Sequence, residues 1–144
     1  MRTRGLRNFV KPSIPKMYLL DTCAILWLAM DQDQFSPPQQ QAVLDSGADL
    51  FFSSISALEI ARLQKLEQIK IPSNAIRWIT NVAEKYRLTE IPVNSEIAAN
   101  SILLPQLHKD PCDRIIIATA HLHRFVIVTS DAHIKKYPKT KIIA

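Results

Sequence analysis

Residues 17–30 read MYLLDTCAILWLAM, and the change of pattern at Asp21 decides the fold. Four apolar residues stop at a carboxylate, and from Thr22 a longer run rich in Ala, Ile and Leu takes over. The first piece has the length of a buried strand and the second that of a helix. A strand that ends on an acid and turns directly into a helix is the opening unit of a βα alternation. Preceded by the basic residues 1–16, the stretch superficially resembles a secretory leader. Asp21 interrupts its apolar run, however, and the uninterrupted part, 24–30, is only seven residues, so neither export nor membrane spanning is supported.

Outward from this unit the alternation continues. Helical patterns over 37–46, 54–69, 73–86 and 94–104 are separated by the apolar runs DLFFS (49–53) and LTEIPV (88–93). A loop, LPQLHKDP (104–111), leads to the helical CDRIIIATAHLHR (112–124) and the strand FVIVTS (125–130). A short turn or helix from Asp131 and the run KIIA (141–144) complete the chain. Short, doubly apolar strands joined by crossover helices predict a three-layer α/β/α sandwich around a central, mostly parallel sheet of about five strands.

With 144 residues, 47% of them hydrophobic, the chain fills one core. Residues 1–16 are read as a disordered basic extension, native or the product of an upstream start, and 17–144 as one domain. Only two glycines, Gly5 and Gly47, are present, so neither a dinucleotide fingerprint nor a phosphate loop can be formed and no nucleotide cofactor is expected. Cys23 and Cys112 form no C-x-x-C pair; a zinc ribbon or disulfide framework is excluded, and the default compartment is the cytoplasm. The net charge of +5 resides in the extension, which holds Arg2, Arg4, Arg7, Lys11 and Lys16 and no acid. Segment 17–60 carries six acids and no Lys or Arg, whereas 109–144 carries seven bases against three acids. Such a dipole suits a polyanion lying over basic walls towards a cation in an acidic pit, or is simply uneven surface charge.

In open parallel sheets the ligand site lies beyond the carboxyl ends of the strands. Asp21 follows MYLL, Asp131 follows VIVTS after the fourth strand, and Asp113 opens the helix after Pro111, so three carboxylates can converge on one rim. Each alone is also explained as a helix cap. Glu59 lies among Ile55, Leu58, Leu63, Leu66 and Ile69 on a helical wheel of 54–69 and points inward; it needs either an ion pair with Arg62 or a metal. An all-oxygen set of this kind favours Mg²⁺, with Mn²⁺ as a substitute, and the chemistry such ions perform on phosphates is phosphodiester hydrolysis. Crowded without a cation, these carboxylates are expected to raise one another's pKa and destabilise the domain.

The stretches LLDTCAILW, SSISALEIARLQKL, HKDPCDRIIIATA and IVTSDAHIKKYP, in this order and spacing, resemble PIN-domain ribonucleases of the VapC toxin type across 17–144. The resemblance implies that Asp21, Glu59, Asp113 and Asp131 form a metal-binding catalytic site supported by the hydroxyls of Thr22, Thr129 and Ser130. It further implies a metal-dependent endoribonuclease, usually a homodimer, acting on transfer RNA or another structured RNA and silenced by a cognate antitoxin. Two departures touch no implied ligand: Cys112 stands where the family often has an aromatic, and Gln64-Lys65 where it often has a glycine. Asp110 is read as a turn residue before Pro111 rather than an outer acid, and Arg114 as a phosphate contact or a carboxylate partner.

Among the remaining candidates, His121 and His123 are two apart on a helix and face different directions, and His108 and His133 are loop residues near the rim, within reach of RNA or merely solvated. Cys23 and Cys112 are read as small core residues rather than nucleophiles, Trp27 and Trp78 as packing or interface, and the apolar faces of 54–86 as a dimer or antitoxin surface. Two rivals stand beside the nuclease. One is a catalytically inactive, partner-binding protein of the same fold. The other is an aspartyl-phosphate phosphotransfer or phosphatase domain, disfavoured because Thr22 and Cys23, not further acids, follow Asp21.

Overall fold

The computed structural model describes residues 16–144. Five strands, β1 (Met17–Leu20), β2 (Asp49–Ser53), β3 (Leu88–Ile91), β4 (Val126–Val128) and β5 (Ile142–Ile143), form one sheet in the order β3-β2-β1-β4-β5. Every pairing is parallel, where a mostly parallel sheet was expected. The chain runs from β1 outward through β2 to β3, then crosses back to β4 on the other side of β1. The strand order therefore reverses between β1 and β4, and the crevice that opens there is the ligand position of an open parallel sheet.

Seven α-helices flank this sheet among the described residues: α1 (Thr22–Met30), α2 (Pro37–Val43), α3 (Ile55–Lys65), α4 (Ala75–Tyr86), α5 (Ser95–Leu103), α6 (Pro111–His123) and α7 (Ala132–Lys135). Side chains alternate across a strand, so Leu20, Leu50, Phe52 and Val128 pack on one face with Ile25, Leu28, Ile60 and Trp78. Leu19 and Ile127 pack on the other with Ile116, Ile117, Ile134 and Tyr137. Each such fully buried aliphatic contributes about 1.5–3 kcal/mol. Two buried faces make the strands read as unbroken apolar runs, which is why they were recognisable.

The helix limits have local causes. Asp21, Asn74, Asn94, Asp110 and Asp131 each accept a backbone N–H as N-cap, and Ser36 with Gln39 forms a capping box ahead of Pro37. The helix expected to reach 69 stops at Lys65, where Glu67 takes a left-handed φ of 58°. Arg87 and Arg124 end α4 and α6 in the same conformation. A chain this poor in glycine accepts roughly 1 kcal/mol of strain at such positions. Lys16, read as the end of the basic extension, belongs to the fold instead: its ammonium meets Asp45 at 2.6 Å and its carbonyl accepts the N–H of Asp49 at 2.8 Å. The rest of that expected extension lies outside the described residues. No described helix is long and apolar enough to cross a membrane.

Gln39 joins α2 to the far edge of the sheet. It is 1% exposed, and its amide nitrogen donates to the carbonyl of Ile143 and the hydroxyl of Ser130, both at 3.1 Å. Replacing it by Leu removes both of these bonds and the Oε1 that accepts the Ser36 N–H at 3.1 Å, so Gln39→Leu is expected to lose about 1–3 kcal/mol in urea denaturation; an unchanged midpoint would contradict this bracing role.

Candidate functional site

The crevice between β1 and β4 is closed at its floor by a backbone hydrogen bond, Asp21 N–H to the carbonyl of Val128 at 3.3 Å. Immediately beyond, the chain turns into helices whose N-termini share one cavity. Asp21 Oδ1 accepts the Ala24 N–H at 2.8 Å, Asp110 Oδ1 that of Cys112 at 2.9 Å and Asp131 Oδ1 that of His133 at 2.8 Å. Capping and converging are thus the same act: one carboxylate oxygen serves the helix, and the second is left for something else. The cavity, about 430 Å³, is lined by Asp21, Thr22, Cys23, Leu26, Trp27, Glu59, Leu63, Asp110, Asp113, Ser130 and Asp131. All four implied carboxylates are there, joined by Asp110, and no Lys or Arg among the described residues is in the lining.

Without a neutralising cation the site is electrostatically frustrated. Asp21 is 6% exposed, and burial pushes its pKa up to about 6, against hydrogen bonds from Thr129 and the Ala24 N–H and with added repulsion from Asp131 and Glu59. Asp113 is raised well above the carboxylate range, first by burial and then by Asp110, Glu59 and Asp131, although His108 counteracts. Burial also raises Glu59, partly offset by the Thr22 hydroxyl. Asp131 is lowered: burial alone would raise it, but the N–H and imidazole of His133 and the neighbouring His108 outweigh that. Several carboxylates in one pit, raised by burial and repulsion, with no Lys or Arg among the described residues in the lining, fit a divalent cation bound by oxygen donors.

Small hydroxyls orient the acids. Thr22 donates to Glu59 Oε1, which consumes its proton, so the fully buried Ser56 must be the donor in its 2.9 Å contact with Thr22. Ser56 was missed because the wheel of 54–69 assumed that the apolar stripe faces inward. Ser56 and Ile60 are the buried residues of α3, whereas Leu58 and Leu66 are 52% and 55% exposed. Arg62 is exposed and forms no ion pair with Glu59 among the described residues, acting only as a distant charge. Thr129, 1% exposed, also accepts the Asp131 N–H at 3.0 Å.

Arg114 fits neither of its expected roles. It is 5% exposed and donates to the carbonyls of Ile102, Leu104, Pro105 and His108 and to the Tyr137 hydroxyl, all within 3.2 Å. It binds loop carbonyls in place of phosphate or carboxylate. The loop it holds delivers His108, whose Nε2 shares a 2.7 Å hydrogen bond with Asp113 Oδ2. His133 stacks on His108 with ring centroids 4.7 Å apart and reaches Asp131 Oδ1 at 3.1 Å through Nδ1. Both histidines thus belong to the site and are not merely solvated.

Cys23 is exposed at the cavity, not in the core; Cys112 is buried, and both thiols are pushed up to about 11 by burial and neighbouring carboxylates, which removes a thiolate nucleophile. Trp78 is core, and Trp27 packs edge-on to Phe35 beside the cavity. His121 meets Thr140 and His123 stacks on Phe125, pointing apart as expected. Three of the bases expected as walls lie away from the pit: Arg124, Lys139 and Lys141 line a separate cavity of about 290 Å³ where β4 and β5 begin, at the opposite end of the sheet.

The raised pKa of Asp21 fixes a sign. Its ordinary value is 3.8, so in metal-free buffer its cost is absent below about pH 4 and fully present above about pH 6. Asn keeps the cap without the charge. The stability of Asp21→Asn relative to wild type in EDTA is therefore expected to rise by up to about 3 kcal/mol between pH 4 and 7, and the variant is expected to gain less than wild type from an added divalent cation. Denaturation across pH checks this; a flat difference contradicts it.

Comparison with known proteins agrees with this architecture. The family model described as PIN domain matches residues 18–140. Ribonuclease VapC22 of Mycobacterium tuberculosis is 29% identical over 120 residues, 83% of this chain and 90% of its own length. Among solved structures, VapBC2 from Rickettsia felis, bound to a DNA fragment from its promoter, superposes with a TM-score of 0.65 at 17% identity, covering 88% of this chain and 97% of the other. A toxin–antitoxin complex from Klebsiella pneumoniae gives 0.57 at 23% identity, with 88% and 96% covered. At such identities the structures speak for the fold. With the family pattern matched over nearly its whole described length, the chain belongs to the PIN domain family.

Proposed function

We propose that this protein is a metal-dependent endoribonuclease that serves as the toxin of a toxin–antitoxin pair and hydrolyses phosphodiesters of transfer RNA or another structured RNA. The observation that carries the reading is the convergence of Asp21, Glu59, Asp113 and Asp131 on one cavity at the strand-order reversal, with no Lys or Arg among the described residues in the lining. The likeness to a VapC ribonuclease supports the activity, and the likeness to toxin–antitoxin complexes supports an antitoxin partner. A homodimer is the further expectation from the family resemblance.

In this proposal Asp21 and Asp113 hold Mg²⁺, for which Mn²⁺ can substitute, and Asp131 completes the set. When bound, such an ion polarises phosphoryl oxygens, lowers the pKa of a water and neutralises the leaving oxygen. The chain's own part is positional. Ser56 and Thr22 fix Glu59 through Oε1, which leaves Oε2 to take a proton from the attacking water; burial raises Glu59 and makes it the better base. Thr129 keeps Asp21 and Asp131 in place through its hydroxyl, whereas the Ser130 hydroxyl is tied to Gln39. Water adds to phosphorus, the bond to the 3′ oxygen breaks, and the departing oxygen takes its proton from solvent, leaving 5′-phosphate and 3′-hydroxyl ends.

The test is cleavage of end-labelled total RNA by the purified protein with Mg²⁺, with EDTA, and with Asp113→Asn. Discrete products with 5′-phosphate ends are expected only with metal and wild type, and the variant is expected to lose activity by about 10²-fold or more. Cleavage that survives EDTA, or 2′,3′-cyclic phosphate ends, overturns the mechanism; no cleavage in any lane favours an inactive, partner-binding protein.

A further inference from the structure

We infer that His108 is a direct metal ligand, so that the cation site of this chain is a mixed nitrogen–oxygen site that prefers borderline ions such as Mn²⁺ and Zn²⁺ to Mg²⁺. This deepens the reading above and shares with it the assumption of a divalent cation in this cavity. His108 Nε2 lies between two of the carboxylates, 2.7 Å from Asp113 Oδ2 and 4.0 Å from Asp131 Oδ2. Donors around an ion at about 2.0–2.2 Å sit roughly 3 Å apart, and these two distances bracket that spacing. The imidazole is therefore placed where a cation held by Asp113 would meet it, and His108, Asp110 and Asp113 each offer a donor within 4.8 Å of the others.

This placement is built into the fold. Arg114, buried under the loop, holds the carbonyl of His108 itself at 3.2 Å along with three others from 102–105, so the ring is delivered by a fixed backbone. The side chain of His108 is only 16% exposed. His133 offers a donor within 4.8 Å of those of His108 and Asp131, but it is poorly placed as a second nitrogen ligand. A metal lies in the plane of the ring that binds it, and the two rings are stacked within 9° of parallel, so an ion in the plane of one ring lies well out of the plane of the other. His133 Nδ1 is moreover engaged with Asp131 at 3.1 Å, and its side chain is 56% exposed. One ring binds, and the other stacks on it and steadies Asp131. Ligation requires the Nε2 lone pair, so the proton now shared with Asp113 moves to Nδ1, the tautomer change usual for a ligating histidine. Imidazole suits borderline ions, whereas Mg²⁺ keeps to oxygen donors, hence the shifted preference.

Pulsed EPR of Mn²⁺ bound to the intact protein, with calorimetric titrations of Mn²⁺ and Mg²⁺, tests this without reference to activity. The wild type is expected to show ¹⁴N modulation on bound Mn²⁺. His108→Ala and His108→Gln are both expected to lose that signal and to weaken Mn²⁺ binding about tenfold or more, with Mg²⁺ binding changed much less; His133→Ala keeps the signal. Gln retains a hydrogen-bond donor for Asp113, so a loss in both variants is not a folding defect. Mn²⁺ bound without ¹⁴N coupling, or coupling that survives both His108 variants, overturns the inference and leaves the nuclease reading standing; failure of Mn²⁺ and Mg²⁺ to bind at all overturns both.

Discussion

Mutual repulsion among carboxylates that the fold does not allow to separate is the constraint on which the site rests. Asp21 and Asp131 are fixed because each caps the helix that follows its strand, and Asp110 because it caps α6, with Asp113 one turn into the same helix. Their positions are therefore set by the backbone of a parallel sheet at its reversal point; none of the three capping acids can swing out to solvent without releasing a helix end, and Asp113 is held by His108. The repulsion is built in before any ligand arrives. A divalent cation is the natural relief: burial first, and then Asp131 and Glu59, push the pKa of Asp21 up to about 6, so the fully ionised pit is disfavoured without one.

The surrounding scaffold keeps that arrangement from collapsing. Ser56 and Thr22 tie Glu59, Gln39 ties Ser130 to the edge of the sheet, and Arg114 fastens the loop that carries His108. Each is a buried polar group with its partners supplied, which makes it costly to disturb. The apolar core supplies the rigidity, since Leu19, Leu20, Ile127 and Val128 at the centre of the sheet are fully buried. Stability and function pull in opposite directions only at the rim.

Much of this was legible in the sequence for a physical reason. A strand buried on both faces is an unbroken apolar run, and the acid that ends it marks both the turn and the site, so β1 with Asp21 and β4 with Asp131 announced themselves. What was not legible depended on tertiary placement. Ser56 and Leu58 exchanged faces because α3 borders an open cavity, where an apolar stripe need not face the core. His108 lies in a loop whose path is set by the donors of Arg114, which stands twelve positions after the first carbonyl it holds, that of Ile102. The basic residues of 109–144 looked like walls to an acidic pit, yet Arg124, Lys139 and Lys141 precede their strands rather than follow them and so fall at the other end of the sheet.

Proton release on metal binding probes the central claim most directly. Calorimetric titration of Mg²⁺ into the intact protein at pH 6, in two buffers of different ionisation enthalpy, reports the protons displaced from the carboxylates; at pH 8 the same groups are already ionised. The account predicts release at pH 6 that falls towards zero at pH 8 and shrinks in Asp21→Asn. Binding with no release at pH 6, or no binding at either pH, would contradict the claim that this cavity holds crowded carboxylates in readiness for a cation.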